Sequence, residues 1–106
     1  MRLRAWTDND KQLAGLMLGL GLRHRCVGIV TGRTANDITS ALSKGRLERA
    51  HGVERVDLKQ RQRPWTDDED VLVDDLSRRG FKDSQIAGML HRLAVDVTER
   101  KATLGL

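Results

Sequence analysis

Leu13, Leu16, Met17 and Leu20 recur at three- and four-residue spacing, which places them on one face of a helix. Thr7, with Asp10 three residues on, supplies its N-cap, Asp8 and Asp10 suit the positive end of its dipole, and Gly21 supplies its stop. The same grammar returns later: Thr66 with Glu69, then Leu72 and Leu76 flanked by Val71 and Val73, then Gly80. Each pattern runs into a short apolar segment, Cys26-Val27-Gly28-Ile29-Val30 or Gln85-Ile86-Ala87-Gly88-Met89-Leu90, read as a second helix of about two turns. Propensity leaves a β reading of Val27 to Val30 open, but the aligned Ile86 to Leu90 favours helix. A turn at Gly32-Arg33 or His91-Arg92 follows. Thr34 with Asp37 then opens a third helix through Ile38 and Leu42, whose counterpart runs from about Ala94 through Val97.

The two patterns are copies. Arg4-Ala5-Trp6-Thr7-Asp8 returns as Arg63-Pro64-Trp65-Thr66-Asp67, and at the same offset of 59 Leu13 matches Leu72, Gly21 matches Gly80, Arg33 matches Arg92, Asp37 matches Asp96 and Thr39 matches Thr98. The expected architecture is all-α: two tandem three-helix helix-turn-helix modules, residues 1–45 and 64–106, joined by a basic linker, residues 46–63. Part of that linker could extend the third helix beyond Gly45, and Lys59 to Pro64 is expected to be extended. Trp6 and Trp65 are expected to anchor equivalent cores. Gly15 and Gly19, one turn apart beside Leu18, offer a surface on which the second module or another subunit could dock.

Composition changes the picture through where the charge lies. The formal charge is +4, but residues 1–45 hold seven Lys and Arg against three acids, residues 46–63 six against three, and residues 64–106 six against nine. The first copy and the linker are basic and the second copy is acidic, an asymmetry that points to a polyanion partner for the former. A single cysteine, Cys26, excludes an intrachain disulfide and suits a reducing cytosol. Leu13 to Leu22 is too short to span a bilayer and is flanked by Asp8, Asp10 and Arg23-His24-Arg25, so neither a signal peptide nor a membrane partner is expected.

No constellation supports catalysis. His24, Cys26, His51 and His91 match no zinc-ligand spacing, the Asp67-Asp68 and Asp74-Asp75 pairs read as helix-surface charge, and no nucleophile-base pattern or phosphate loop is visible; neither enzyme activity nor a metal or cofactor is expected. Arg23-His24-Arg25 opposes the dipole at the start of the second helix, and a phosphate partner would offset that, since this helix N-terminus approaches the backbone when a helix-turn-helix docks. The third helix of the first copy offers Arg33, Thr34, Asn36, Ser40 and Lys44 to base edges and phosphates. Arg46, Arg61 and Arg63 of the linker could follow a groove or backbone. In the second copy, Arg92 and Arg100 occupy the corresponding surface among Val95, Asp96 and Glu99, whose carboxylates would repel phosphate unless they accept from cytosine.

Arg63-Pro64-Trp65-Thr66-Asp67-Asp68-Glu69-Asp70, with Leu72, Gly80, Ile86-Ala87, Leu90, Arg92 and Leu104-Gly105-Leu106, resembles the Myb/SANT-like helix-turn-helix superfamily, and looks closest to its compact bacterial and phage versions such as the GcrA-like regulators. Residues 4–44 share the resemblance more weakly. It implies a core tryptophan, a third helix in the DNA major groove, and gene regulation on double-stranded DNA in the cytoplasm, at the nucleoid. Each copy keeps only the first of the three tryptophans of eukaryotic Myb repeats. The reading from sequence is therefore a sequence-specific transcriptional regulator of bacterial or phage type. The alternative is an interaction adaptor whose acidic second module docks a protein, such as RNA polymerase or a phage packaging component.

Overall fold

Thr7 Oγ1 accepts the Asp10 amide, Thr34 Oγ1 that of Asp37 and Thr66 Oγ1 that of Glu69, each at 3.1 Å, so three helices start where the sequence places their caps. In the computed structural model, which describes residues 5–60 and 62–106, six helices and no strand occur among the described residues. They are α1 (Asp8–Leu20), α2 (His24–Thr31), α3 (Ala35–Ser43), α4 (Asp67–Arg78), α5 (Asp83–Leu90) and α6 (Ala94–Leu104). The chain divides into two units, residues 1–55 holding α1 to α3 and residues 56–106 holding α4 to α6. None of these helices is long and apolar enough to cross a membrane.

Leu13, Met17, Leu20, Val27 and Ile38 form the core of the first unit, and Leu72, Val73, Leu76, Ile86, Leu90 and Val97 that of the second. Val27 to Val30 is helical, and α6 continues seven residues past the expected end at Val97. Gly21 (φ 90°) and Gly80 (φ 91°) both lie in the left-handed region, which lets the next residue, Leu22 or Phe81, donate its amide back to Met17 or Leu76 and closes each first helix. At the start of α3 the Thr34 amide also donates to Asp37 Oδ2, completing a capping box.

That box holds the Asp37 carboxyl below its ordinary range, through the Thr34 backbone and side-chain hydrogen bonds; Lys101 and Thr98 do the same for Asp83 on α5. A carboxyl depressed in the folded state stabilises it above the unfolded value, and the contribution is lost as pH falls through the folded one. Both carboxyls should therefore titrate below about pH 4, the unfolded aspartate value, when followed by side-chain carboxyl NMR. A midpoint at or above that value would show that these hydrogen bonds do not persist in solution.

The segment expected as linker is built differently. α3 stops at Ser43, Gly45 has φ 72°, and no helix forms between 46 and 60. Residues 46–55 instead lie along α1: Leu47 is 2% exposed, and the Ala50 amide donates to the Gly15 carbonyl at 3.0 Å. A Cβ on Gly15 would stand 2.7 Å from the Glu48 carbonyl oxygen, and one on Gly19 3.2 Å from both the Ala50 carbonyl oxygen and Val53 Cβ. The small residues are thus a notch for this strap. The Gly15, Leu18 and Gly19 surface, expected to be open for another module or subunit, is covered within its own unit, and Leu18 is buried. At the matching positions α4 carries Asp74 and Arg78, ion-paired at 2.7 Å.

Gly28 is a second close approach, its virtual Cβ lying 2.4 Å from the Arg33 carbonyl oxygen, whereas Gly88, inside α5, faces open space. Gly28→Ala should cost about 1–3 kcal/mol, because backbone must move to admit the methyl. Gly88→Ala should gain about 0.5–1 kcal/mol from the reduced freedom of the unfolded helix segment. Thermal melts of the two single variants check the opposite signs.

Candidate nucleic-acid interface

The third helix of each unit lies beside a tryptophan whose face carries a guanidinium. Arg33 sits 3.9 Å above the Trp6 ring and Arg92 3.9 Å above the Trp65 ring, with Arg100 at 5.8 Å from Trp65. Neither tryptophan is a fully buried anchor; both are half-buried platforms.

In the second unit the platform tops a buried ionic cluster. Arg92, 3% exposed, donates from Nε and Nη2 to the two oxygens of Glu69 at 2.9 and 3.0 Å, and from Nη1 and Nη2 to the Arg63 and Pro64 carbonyls at 2.8 and 3.1 Å. Glu69 is fully buried and also accepts from Arg63 Nη2 at 3.0 Å. Arg63 further donates to the Leu90 and Gln60 carbonyls at 2.8 and 2.9 Å, and its Nε is buried with no partner among the described residues. Burial pulls the Arg63 guanidinium down from its ordinary value, against the pull of Glu69. Arg100 makes a two-pronged contact with Asp70 at 2.8 and 2.6 Å.

Three of the residues expected at DNA, Arg63, Arg92 and Arg100, are engaged with carboxylates of their own unit. Arg92 and Arg63 cannot leave Glu69 for a phosphate without stranding a buried carboxylate, and Arg100 is neutralised where it stands. Lys101 Nζ likewise pairs with Asp83 Oδ1 at 2.8 Å. Arg61 lies outside the described residues.

The first unit keeps the scaffold and changes the charges. Asp10, 9% exposed, stands at the register of Glu69, but Lys11 replaces Asp70 and Ala41 replaces Arg100. Arg33 is half-buried on Trp6, not extended toward solvent, and Thr34 caps α3. Ser40, Lys44 and Arg46, with Asp37, Arg33 and Trp6, line a concavity of about 390 Å³ on one side of α3. Asn36, Thr39 and Ser43 form an exposed ridge on another. Arg23 and Arg25 are exposed at the start of α2, whose first turn holds no acid, while α5 has Asp83 there. None of Arg23, Arg25, Lys44 and Arg46 has an ion pair among the described residues.

His24, expected as a phosphate contact, is tied across to α3. Thr39 Oγ1 lies 3.1 Å from the Ala35 carbonyl oxygen and 2.9 Å from His24 Nδ1, so the hydroxyl joins the ring to α3, the direction of the second bond being set by the imidazole tautomer. The same tie exists in the second unit, where Thr98 donates to Asp83 Oδ2 at 2.6 Å. No known family, curated protein or solved structure matches the chain.

Burial pushes the Cys26 thiol up, with Arg23 and Arg25 pulling the other way. Glu69 and Thr39 were missed as organising residues by sequence reasoning. The signal for both lay in the repeat, which keeps Trp6 with Arg33, Trp65 with Arg92, and Thr39 with Thr98 in register.

Proposed function

We propose that the protein binds double-stranded DNA through its first unit and acts as a sequence-specific transcriptional regulator at the nucleoid. In this reading each unit is a helix-turn-helix module of the Myb/SANT-like type, and α3 enters the major groove while Arg23 and Arg25 at the start of α2 meet the phosphate backbone. One observation carries it: four exposed cations, Arg23 and Arg25 at the start of α2 and Lys44 and Arg46 just past α3, have no carboxylate partner among the described residues, whereas Arg63, Arg92, Arg100 and Lys101 of the second unit are neutralised internally. Exposed cations without nearby acids attract a polyanion, and each phosphate they neutralise releases condensed counterions.

A gel-shift titration of random duplex DNA at two salt concentrations tests this. Affinity should fall steeply as salt rises, with a slope of roughly 0.9 per phosphate contact. Absence of binding at low salt would overturn it. The second reading, an adaptor, is favoured by one feature of the second unit. Leu93 (37% exposed), Val95 (56%), Asp96 and Glu99 stand where the first unit has Thr34, Asn36, Asp37 and Ser40, an apolar and acidic face suited to protein.

A further inference from the structure

Resting on the proposal that the first unit binds duplex DNA, we infer that its α3 ridge selects an adenine followed or preceded by a thymine methyl, with Asn36 as the specificity-determining residue. Asn36, Thr39 and Ser43 recur at helical spacing and are all exposed, so they form the row that faces away from the core residues Ile38 and Ala41. What this row can say to a base edge is narrow. Asn36 occupies the second position of α3, and its amide has no hydrogen-bond partner among the described residues. One donor and one acceptor in that fixed arrangement match the N6 amino group and N7 of adenine in the major groove.

Thr39 contributes its methyl. Its hydroxyl is engaged by the Ala35 carbonyl and by the His24 ring nitrogen, so the exposed part of this side chain is apolar. An apolar contact of that kind favours the thymine C5-methyl. The group that would read guanine is held elsewhere: Arg33 lies stacked on Trp6, and Lys44 lies beyond the end of α3, on the row with Asp37 and Ser40. At the matching positions the second unit has Val95, Thr98 and Ala102, which include no amide and no cation, so the reading is made once per chain.

The experiment is selection of bound sites from a randomised duplex pool with the full chain, followed by anisotropy titration of the selected duplex and of a copy in which its fixed A·T pair is exchanged for G·C. The selected sites should share one fixed adenine with thymine next to it. The exchange should weaken binding roughly 5- to 150-fold, the range for one bidentate base contact. Asn36→Ala should abolish that difference, with its salt slope and helical circular dichroism unchanged. Asn36→Arg should move the preference to guanine.

A fixed guanine in the selected sites, or an adenine preference that survives Asn36→Ala, overturns the inference. So does binding with no sequence preference, although that result leaves the first unit a DNA-binding module. No binding to any duplex removes the underlying reading, and the salt titration identifies that case separately.

Discussion

Glu69→Gln should unfold residues 56–106 while residues 1–55 stay folded. Glutamine keeps the shape of the side chain but removes the one carboxylate shared by Arg63 and Arg92, both almost fully withdrawn from water. Removing one partner from a buried ionic cluster costs about 3–5 kcal/mol, because the charge left behind has no compensation. A unit of this size is held by roughly 3–8 kcal/mol in total, so the loss takes most or all of it. Hydrogen exchange should show α4, α5 and α6 amides unprotected and those of α1, α2 and α3 near their wild-type protection. Replacing all three together, as in Glu69→Leu with Arg63→Met and Arg92→Met, should recover much of the stability, since no buried charge is then stranded. A melt of Glu69→Gln within a degree or two of wild type would show that the cluster is not what holds the second unit.

Simultaneous Arg23→Ala, Arg25→Ala, Lys44→Ala and Arg46→Ala should lower duplex affinity on the order of a hundredfold at low salt and flatten the salt slope by roughly 3–4. All four side chains are exposed and unpaired among the described residues, so the fold should melt as before. The comparison is Arg78→Ala with Lys82→Ala in the second unit, where Lys82 stands at the register of Arg23. That pair should leave binding unchanged. Equal losses from the two sets would mean that the second unit touches DNA as well, and no loss from the first set would turn attention to the Leu93 and Val95 face.

Helices were legible in the chain because their determinants are local. Thr7, Thr34 and Thr66 announce starts through bonds three residues away, and Gly21, Gly32 and Gly80 announce ends through a backbone conformation they adopt cheaply. The fate of the arginines was not local. Whether Arg92 faces phosphate or lies buried depends on Glu69, 23 residues earlier, and charge counts register both as surface charge. The uncompensated rim of the first unit was legible as an excess of base over acid, but which cations form it emerged only once Arg33 and His24 were seen to be engaged on Trp6 and Thr39. Leu47, Ala50 and Val53 were visible as apolar positions in a basic stretch. Their three-residue spacing allowed a helical extension, but they pack against α1 as an irregular strap.

The packing of residues 46–55 on α1 redefines what can be inherited as one piece. A recombination joint at residue 45 would separate Gly15 from the amide of Ala50 that its carbonyl accepts, leaving a groove with nothing in it. A joint after residue 55 carries notch and strap together. Neither partner can drift alone: a side chain at Gly15 expels the strap, and loss of the strap removes the reason for glycine. The second copy has Asp74 and Arg78 in those places and a salt bridge across them, so nothing there requires glycine.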